Sequence, residues 1–324
     1  MTPLKATLKR GALLAAANWQ VTLIQSVADS LFKLLIAVPV IGGVFFVALV
    51  IGAEPQGLLA LEWREIVTTV VAALLSQPLV LAAFLLSLAV VVVGGSLFMF
   101  LVKAGTVAAL VAGDRSAGAI EQPPLRIAAV ATACGFSAEG FIAACERFFP
   151  RYARLGFILI GVYLFSGLAF LAAIRLSRAT GEGWSGAVLL TATFVAWITV
   201  VNLMYLVLQI VIVAEDCSVR SAARRSAAFL RAALRGIASV FGVVLALVVL
   251  STGVSILAMG ALGLIAFVPF FGLAVLPLQL VAWLFRSVVF QYIGLTSIGA
   301  YLRCYRDSTT RAPRLTTHDL RSTV

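Results

Sequence analysis

Long apolar runs separated by short clusters of charge set the plan of this chain. Six of the runs can cross a hydrocarbon layer of roughly 30 Å, which takes a helix of about 20 residues. They fall near residues 33–53, 79–102, 155–174, 187–213, 236–258 and 278–302. In lipid each backbone N–H and C=O has to be satisfied within its own segment, so runs of this length read as helices. The predicted fold is all-α: a polytopic membrane protein of about six transmembrane helices, with amphipathic helices at the membrane surface.

The segments between the runs have patterns of their own. Residues 1–32 read as an N-terminal interfacial element, a helix over 4–31 opened by Lys5, Lys9 and Arg10, with Trp19 as a headgroup-level anchor. About thirty mixed residues thus precede the first long apolar run, unlike a cleavable signal peptide with its apolar stretch of about 7–15 residues. Residues 103–154 form the longest non-spanning region and end in a second amphipathic stretch carrying Arg147, Arg151 and Arg154. The Gly94-Gly95 pair in the second run suits close helix contact. From Gly260 to Pro277 the chain stays apolar for longer than one span needs, with Pro269 and Pro277 interrupting it; this reads as a turn with a short re-entrant or broken helix. Residues 303–324 read as a polar, disordered cytoplasmic tail.

Composition agrees with lipid as the solvent. Apolar residues make up 62% of the chain and charged ones 11%, too little polarity to give a soluble protein its wet surface. Against 13 Asp and Glu stand 24 Lys and Arg, a net charge of +11. In a soluble protein that excess suggests nucleic acid. Here all the basic residues except Arg64, Arg175, Arg178 and the intraspan Arg286 fall on the side of the two termini. Basic residues gather in cytoplasmic loops, so both termini are placed in the cytoplasm and no nucleic-acid partner is expected. Only 4 of the 24 are Lys, and Ala, Val and Gly abound, which points to a GC-rich bacterial genome and so to the bacterial cytoplasmic (inner) membrane.

Two stretches resemble each other at an offset of 81 residues. Ser137 through Phe148-Phe149 to Arg154 matches Ser218 through Phe229-Leu230 to Arg235, and each leads into a pair of spans. In the second copy, at 100° per residue, Arg220, Arg224, Arg231 and Arg235 fall on one narrow face. Val219, Ala222, Ala223, Phe229, Leu230, Ala233 and Leu234 line the other, while Glu215 and Asp216 complement the helix dipole. Such a face suits anionic lipid headgroups or a cytoplasmic protein partner; its plainer role is a topology-setting loop.

An acidic residue after a span, then Ser/Val, Ala-x-x-Arg-Ser, an aromatic and a return into the membrane is the order from Glu215 to Phe229. With the exit Ala300-Tyr301-Leu302-Arg303, it resembles certain six-helix bacterial proteins. These are the membrane domain attached to some glycerophosphodiester phosphodiesterases and related stand-alone proteins of unknown function. The resemblance implies no activity here, because in the fused enzymes catalysis resides in a separate soluble domain.

Polar residues inside spans are the second candidate site. Asn202, Tyr205 and Gln209 share one face of span four, and Gln279 and Arg286 one face of span six. An intramembrane arginine needs a partner, here the amides of Asn202 and Gln209, water or a bound anion. Signs of enzyme chemistry are missing: no phosphate-binding loop, no H-E-x-x-H, a single histidine (His318) and four cysteines without a C-x-x-C pair, so no cofactor or metal is expected. Two functions fit. One is a non-enzymatic protein of lipid or envelope homeostasis, or a scaffold, acting through basic cytoplasmic helices. The other is a transporter or channel subunit with a polar site between spans four and six.

Overall fold

The computed structural model describes residues 3–51, 75–124, 127–179, 184–266 and 272–319, with isolated positions at 65, 68 and 72. Eight helices can be delimited among them: α1 (Leu4–Ala17), α2 (Trp19–Ile51), α3 (Pro78–Ser116), α4 (Ile127–Thr132), α5 (Ala138–Ala179), α6 (Trp184–Ala214), α7 (Val219–Ala266) and α8 (Gly272–Asp319). No strand occurs among the described residues. Six of these helices are long and apolar enough to cross a membrane: α2, α3, α5, α6, α7 and α8. The chain is an all-α, multi-pass membrane protein. Large apolar side chains such as Leu164, Phe165, Leu168, Val249, Leu250 and Leu257 stand exposed along the spans, where hydrocarbon rather than water has to receive them.

The spanning helices overrun their predicted limits. The amphipathic stretch before span three runs on into the span as one helix, α5, with Pro150 inside it, whereas the stretch before span five is set off from its span by a kink beside the expected boundary. Each starts on a serine cap: the Gly140 N–H donates to Ser137 Oγ at 3.1 Å, and the Ser221 N–H to Ser218 Oγ at 3.4 Å. The offset is again 81 residues, and it carries through the buried faces, since Cys145, Phe148 and Tyr152 correspond to Ser226, Phe229 and Ala233. Only at Ala233, with φ −121° and ψ 19°, does α7 leave helical geometry. At the other end α7 continues to Ala266 and α8 begins at Gly272, so the re-entrant segment expected over 260–277 is mostly the ends of two helices. Pro269 lies outside the described residues.

Two further expectations change. The N-terminal helix breaks at Asn18, whose buried side chain donates from Nδ2 to the carbonyls of Leu14 and Ala133 and accepts the Gly135 N–H at Oδ1. From Trp19 onward the chain belongs to the first span. On the N-terminal side of the break, one face of α1 is closed by protein: Thr7, Arg10, Gly11, Leu14 and Ala15 are buried, chiefly against α8. The predicted tail is likewise helical through Asp319, and Tyr305 within it is buried. Arg303 and Arg306 are held by ion pairs, which is why the helix does not dissolve after Leu302.

The chain divides into two compact units, residues 27–100 and the remainder. In the smaller unit Gly95 faces the ring of Phe32, as close contact requires, whereas Gly94 has open space around it. Within the larger unit the buried residues concentrate in α1, the C-terminal ends of α3, α6 and α8, and the N-terminal ends of α5 and α7. Backbones meet there without side chains between them. Gly299 would place a Cβ 2.9 Å from the Gly11 Cα, and a Cβ on Gly11 would overlap the Thr296 carbonyl oxygen. Gly113 and Gly135 meet in the same way.

Candidate functional site

Each glycine crossing brings a charged neighbour with it. Arg10 precedes Gly11, and Asp114 follows Gly113, so the two crossings bury both side chains in one place: Arg10 is 3% exposed and Asp114 1%. Arg10 Nε donates to Asp114 Oδ1 at 2.7 Å, and its Nη1 donates to Glu121 Oε2 at 2.7 Å and to the Gly118 carbonyl at 2.6 Å. Arg306 from α8 pairs with the second oxygen of Asp114, and Arg303 reaches Glu121 Oε1 at 3.3 Å. Burial alone would raise the Glu121 carboxyl, but its own backbone N–H, Arg10 and Arg303 outweigh that and hold it below the ordinary range. For Arg10, burial alone would loosen the proton, and Asp114 and Glu121 more than compensate. With Asp307, 3.4 Å from Arg303 Nε, the charges balance at three of each sign, and they fix α1 and α8 to the end of α3. The signals in the sequence are the Arg-Gly and Gly-Asp pairs, of which the first reads, by itself, as part of a basic surface.

A second, exposed cluster lies where α6 hands over to α7. Asp216 has φ 47°, a left-handed conformation that Asp tolerates better than most residues. Its carboxylate pairs with Arg147 and, at 2.6 Å, with Arg151. The Arg151 guanidinium, with Arg147 beside it, holds this carboxyl below its ordinary range. Glu215 pairs with Arg225 and accepts the Tyr305 hydroxyl at 2.8 Å. Both carboxylates at the start of α7 are therefore occupied by arginines other than the four on its basic face.

Arg220, Arg224, Arg231 and Arg235 are all exposed, and none of their guanidinium groups has a hydrogen bond or ion pair among the described residues. The opposite stripe, Ala222, Ser226, Phe229, Ala233, Ile237 and Val240, is buried. Of the apolar positions predicted for that side, Ala223 and Leu234 are exposed, because the stripe is narrower than the pattern suggested and Ser226 takes a place in it. Chemically, four uncompensated guanidinium groups on one exposed face can bind several anionic oxygens at once.

The intraspan residues are dispersed. Asn202 Oδ1 accepts the Tyr163 hydroxyl from α5. Further along the same pair of helices the Trp197 indole N–H donates to Ser166 Oγ at 2.9 Å, and Phe170 stacks on Phe194 at 4.4 Å between centroids. In the other direction the Tyr152 hydroxyl donates to the Gln209 carbonyl at 3.0 Å. Asn202 thus belongs to an interhelical ladder binding α5 to α6. The side chain of Gln209 is buried, and Gln279 is half-buried. Arg286 is exposed, its guanidinium 5.4 Å from the centre of the Phe290 ring. No hydrogen bond or ion pair joins Arg286 to Asn202 or Gln209 among the described residues. Also among the described residues, no group of three or more His, Cys, Asp or Glu side chains comes together as metal ligands. Compared with family models, with characterised proteins and with solved structures, the chain finds no match.

Proposed function

We propose that this chain is a non-enzymatic protein of the bacterial cytoplasmic membrane that gathers anionic lipid headgroups at its cytoplasmic face, in lipid or envelope homeostasis. The observation that carries the reading is the unpaired, exposed state of Arg220, Arg224, Arg231 and Arg235 at the start of a spanning helix. Nearby carboxylates that would quench this face are taken by Arg147, Arg151 and Arg225. A basic residue close to an anionic bilayer surface gains about 1 kcal/mol, so the face has a definite preference to offer. A transport site between spans four and six has less support, since Asn202 is engaged with Tyr163 and Arg286 reaches neither amide.

The test replaces all four arginines by Gln. Spin-labelled phosphatidylglycerol and phosphatidylcholine are compared as boundary lipids of the reconstituted protein. The unaltered protein should prefer phosphatidylglycerol, less so at high salt as screening shortens. Loss of a contact worth about 1 kcal/mol should lower the preference about fivefold. An identical preference in the substituted protein would overturn the reading.

A further inference from the structure

Beside the Gly11 crossing, α1, α7 and α8 leave a cleft of about 300 Å³. Its walls are Leu8, Ala12, Val244, Leu247 and Ile293, with Lys9, Tyr292 and Thr296 as polar members. The Tyr292 hydroxyl donates to the Ala12 carbonyl at 3.0 Å and so ties α8 to α1 alongside the cleft. Thr296 is buried, 8% exposed, and its Oγ1 makes no hydrogen bond. Lys9 reaches the backbone of the same residue whose carboxylate its neighbour Arg10 holds. Its Nζ donates to the Glu121 carbonyl at 3.0 Å, and an ammonium has two more N–H groups to give.

We infer that this cleft holds one acyl chain of an anionic phospholipid, with Lys9 taking a headgroup phosphate oxygen. Two of its three walls belong to spanning helices, and Leu247 is 40% exposed, so the cleft opens onto the bilayer. The lining is almost wholly apolar, which excludes a free anion as the occupant of its depth. The volume stands at the lower limit of small-molecule sites, roughly 300–1,000 Å³. It admits a chain segment and not a helix, which is about 10 Å across. Lys9 supplies a positive charge beside an apolar slot, the complement of a phospholipid at the headgroup–chain boundary. The inference rests on the lipid reading above only for the sign of the headgroup.

The test uses the full chain in phosphatidylcholine nanodiscs containing phosphatidylglycerol with a diazirine in one acyl chain. After photolysis, label should concentrate on the segments carrying Val244, Leu247 and Ile293, above the equally lipid-accessible α5 face at Leu164 and Leu168. Leu247→Trp, which fills the slot, should bring that labelling down to the α5 level. Lys9→Ala should keep the chain labelled but remove the preference over diazirine phosphatidylcholine, about fivefold for one basic contact. Even labelling of all apolar faces of the unaltered protein would overturn the site, whether or not a variant folds. So would cleft labelling that Leu247→Trp leaves unchanged. The arginine replacements on α7 lie outside the cleft: they should lower boundary-lipid preference and spare the focal label, so the two readings can fail separately.

Discussion

Replacing Asp114 by Ala removes the acceptor that Arg10 and Arg306 share. Arg10 is 3% exposed, so its charge cannot turn to water once Asp114 Oδ1 is gone. Breaking a buried ion pair from one side costs about 3–5 kcal/mol. Here the lower figure applies, about 3 kcal/mol, because Glu121 and the carbonyls of Gly118 and Asp114 still hold the guanidinium. Arg306 adds little: its side chain is 31% exposed and regains solvent when released. Arg306→Ala should therefore cost only about 1 kcal/mol, in the range of a surface pair. Arg10→Met combined with Asp114→Leu removes both charges together and should recover much of the loss, since an apolar pair can replace a buried salt bridge. Unfolding by denaturing detergent in mixed micelles, followed by circular dichroism, gives these free energies. If Asp114→Ala fell within about 0.5 kcal/mol of the exposed control Arg224→Ala, as surface substitutions do, the network would not be holding the helices.

The same end of the molecule sets two other outcomes. Glu121 and Asp216 bind protons less tightly folded than unfolded, so the unfolded chain takes up more protons on acidification and stability falls with pH. The stabilisation should be intact above the ordinary carboxyl pKa of about 4.3 and be lost as pH drops through the lower folded values. A melting temperature in detergent that stayed level from neutral pH to about pH 3 would contradict this. Gly11→Ala should cost about 1–3 kcal/mol by forcing α1 off α8, and proteolysis should then release the N-terminal helix. Gly253→Ala in α7, with nothing within 4 Å, should be neutral or stabilise by up to about 1 kcal/mol.

The spans can be read from the sequence because uninterrupted apolarity is a local property, and the arginine face because 100° periodicity is one too. Their boundaries cannot. The amphipathic stretch at Ala138 passes into its span within one helix, and the one at Val219 is set off from its span only by the kink at Ala233, which no composition change marks. In sequence Arg10 is one basic residue among three, and its burial depends on a carboxylate 104 residues away. Arg303 and Arg306 read as the opening of a tail for the same reason: their partners lie at the end of α3 and on the turn after it. Asn202 invites comparison with polar residues of its own span, while its partner Tyr163 sits in the preceding one.

The crossing of α1 and α8 also dictates an order of assembly. The Tyr292 hydroxyl meets the Ala12 carbonyl across 280 residues of chain. At roughly 5–20 residues per second of synthesis, the first helix waits about 15–60 s before its last-made mate exists. Throughout that interval the glycine-centred face of α1 has nothing to close against, and its amphipathic surface has to rest on the bilayer or in a chaperone's grip. The final helix is then both the sixth crossing and the clasp that closes over the glycine face of α1.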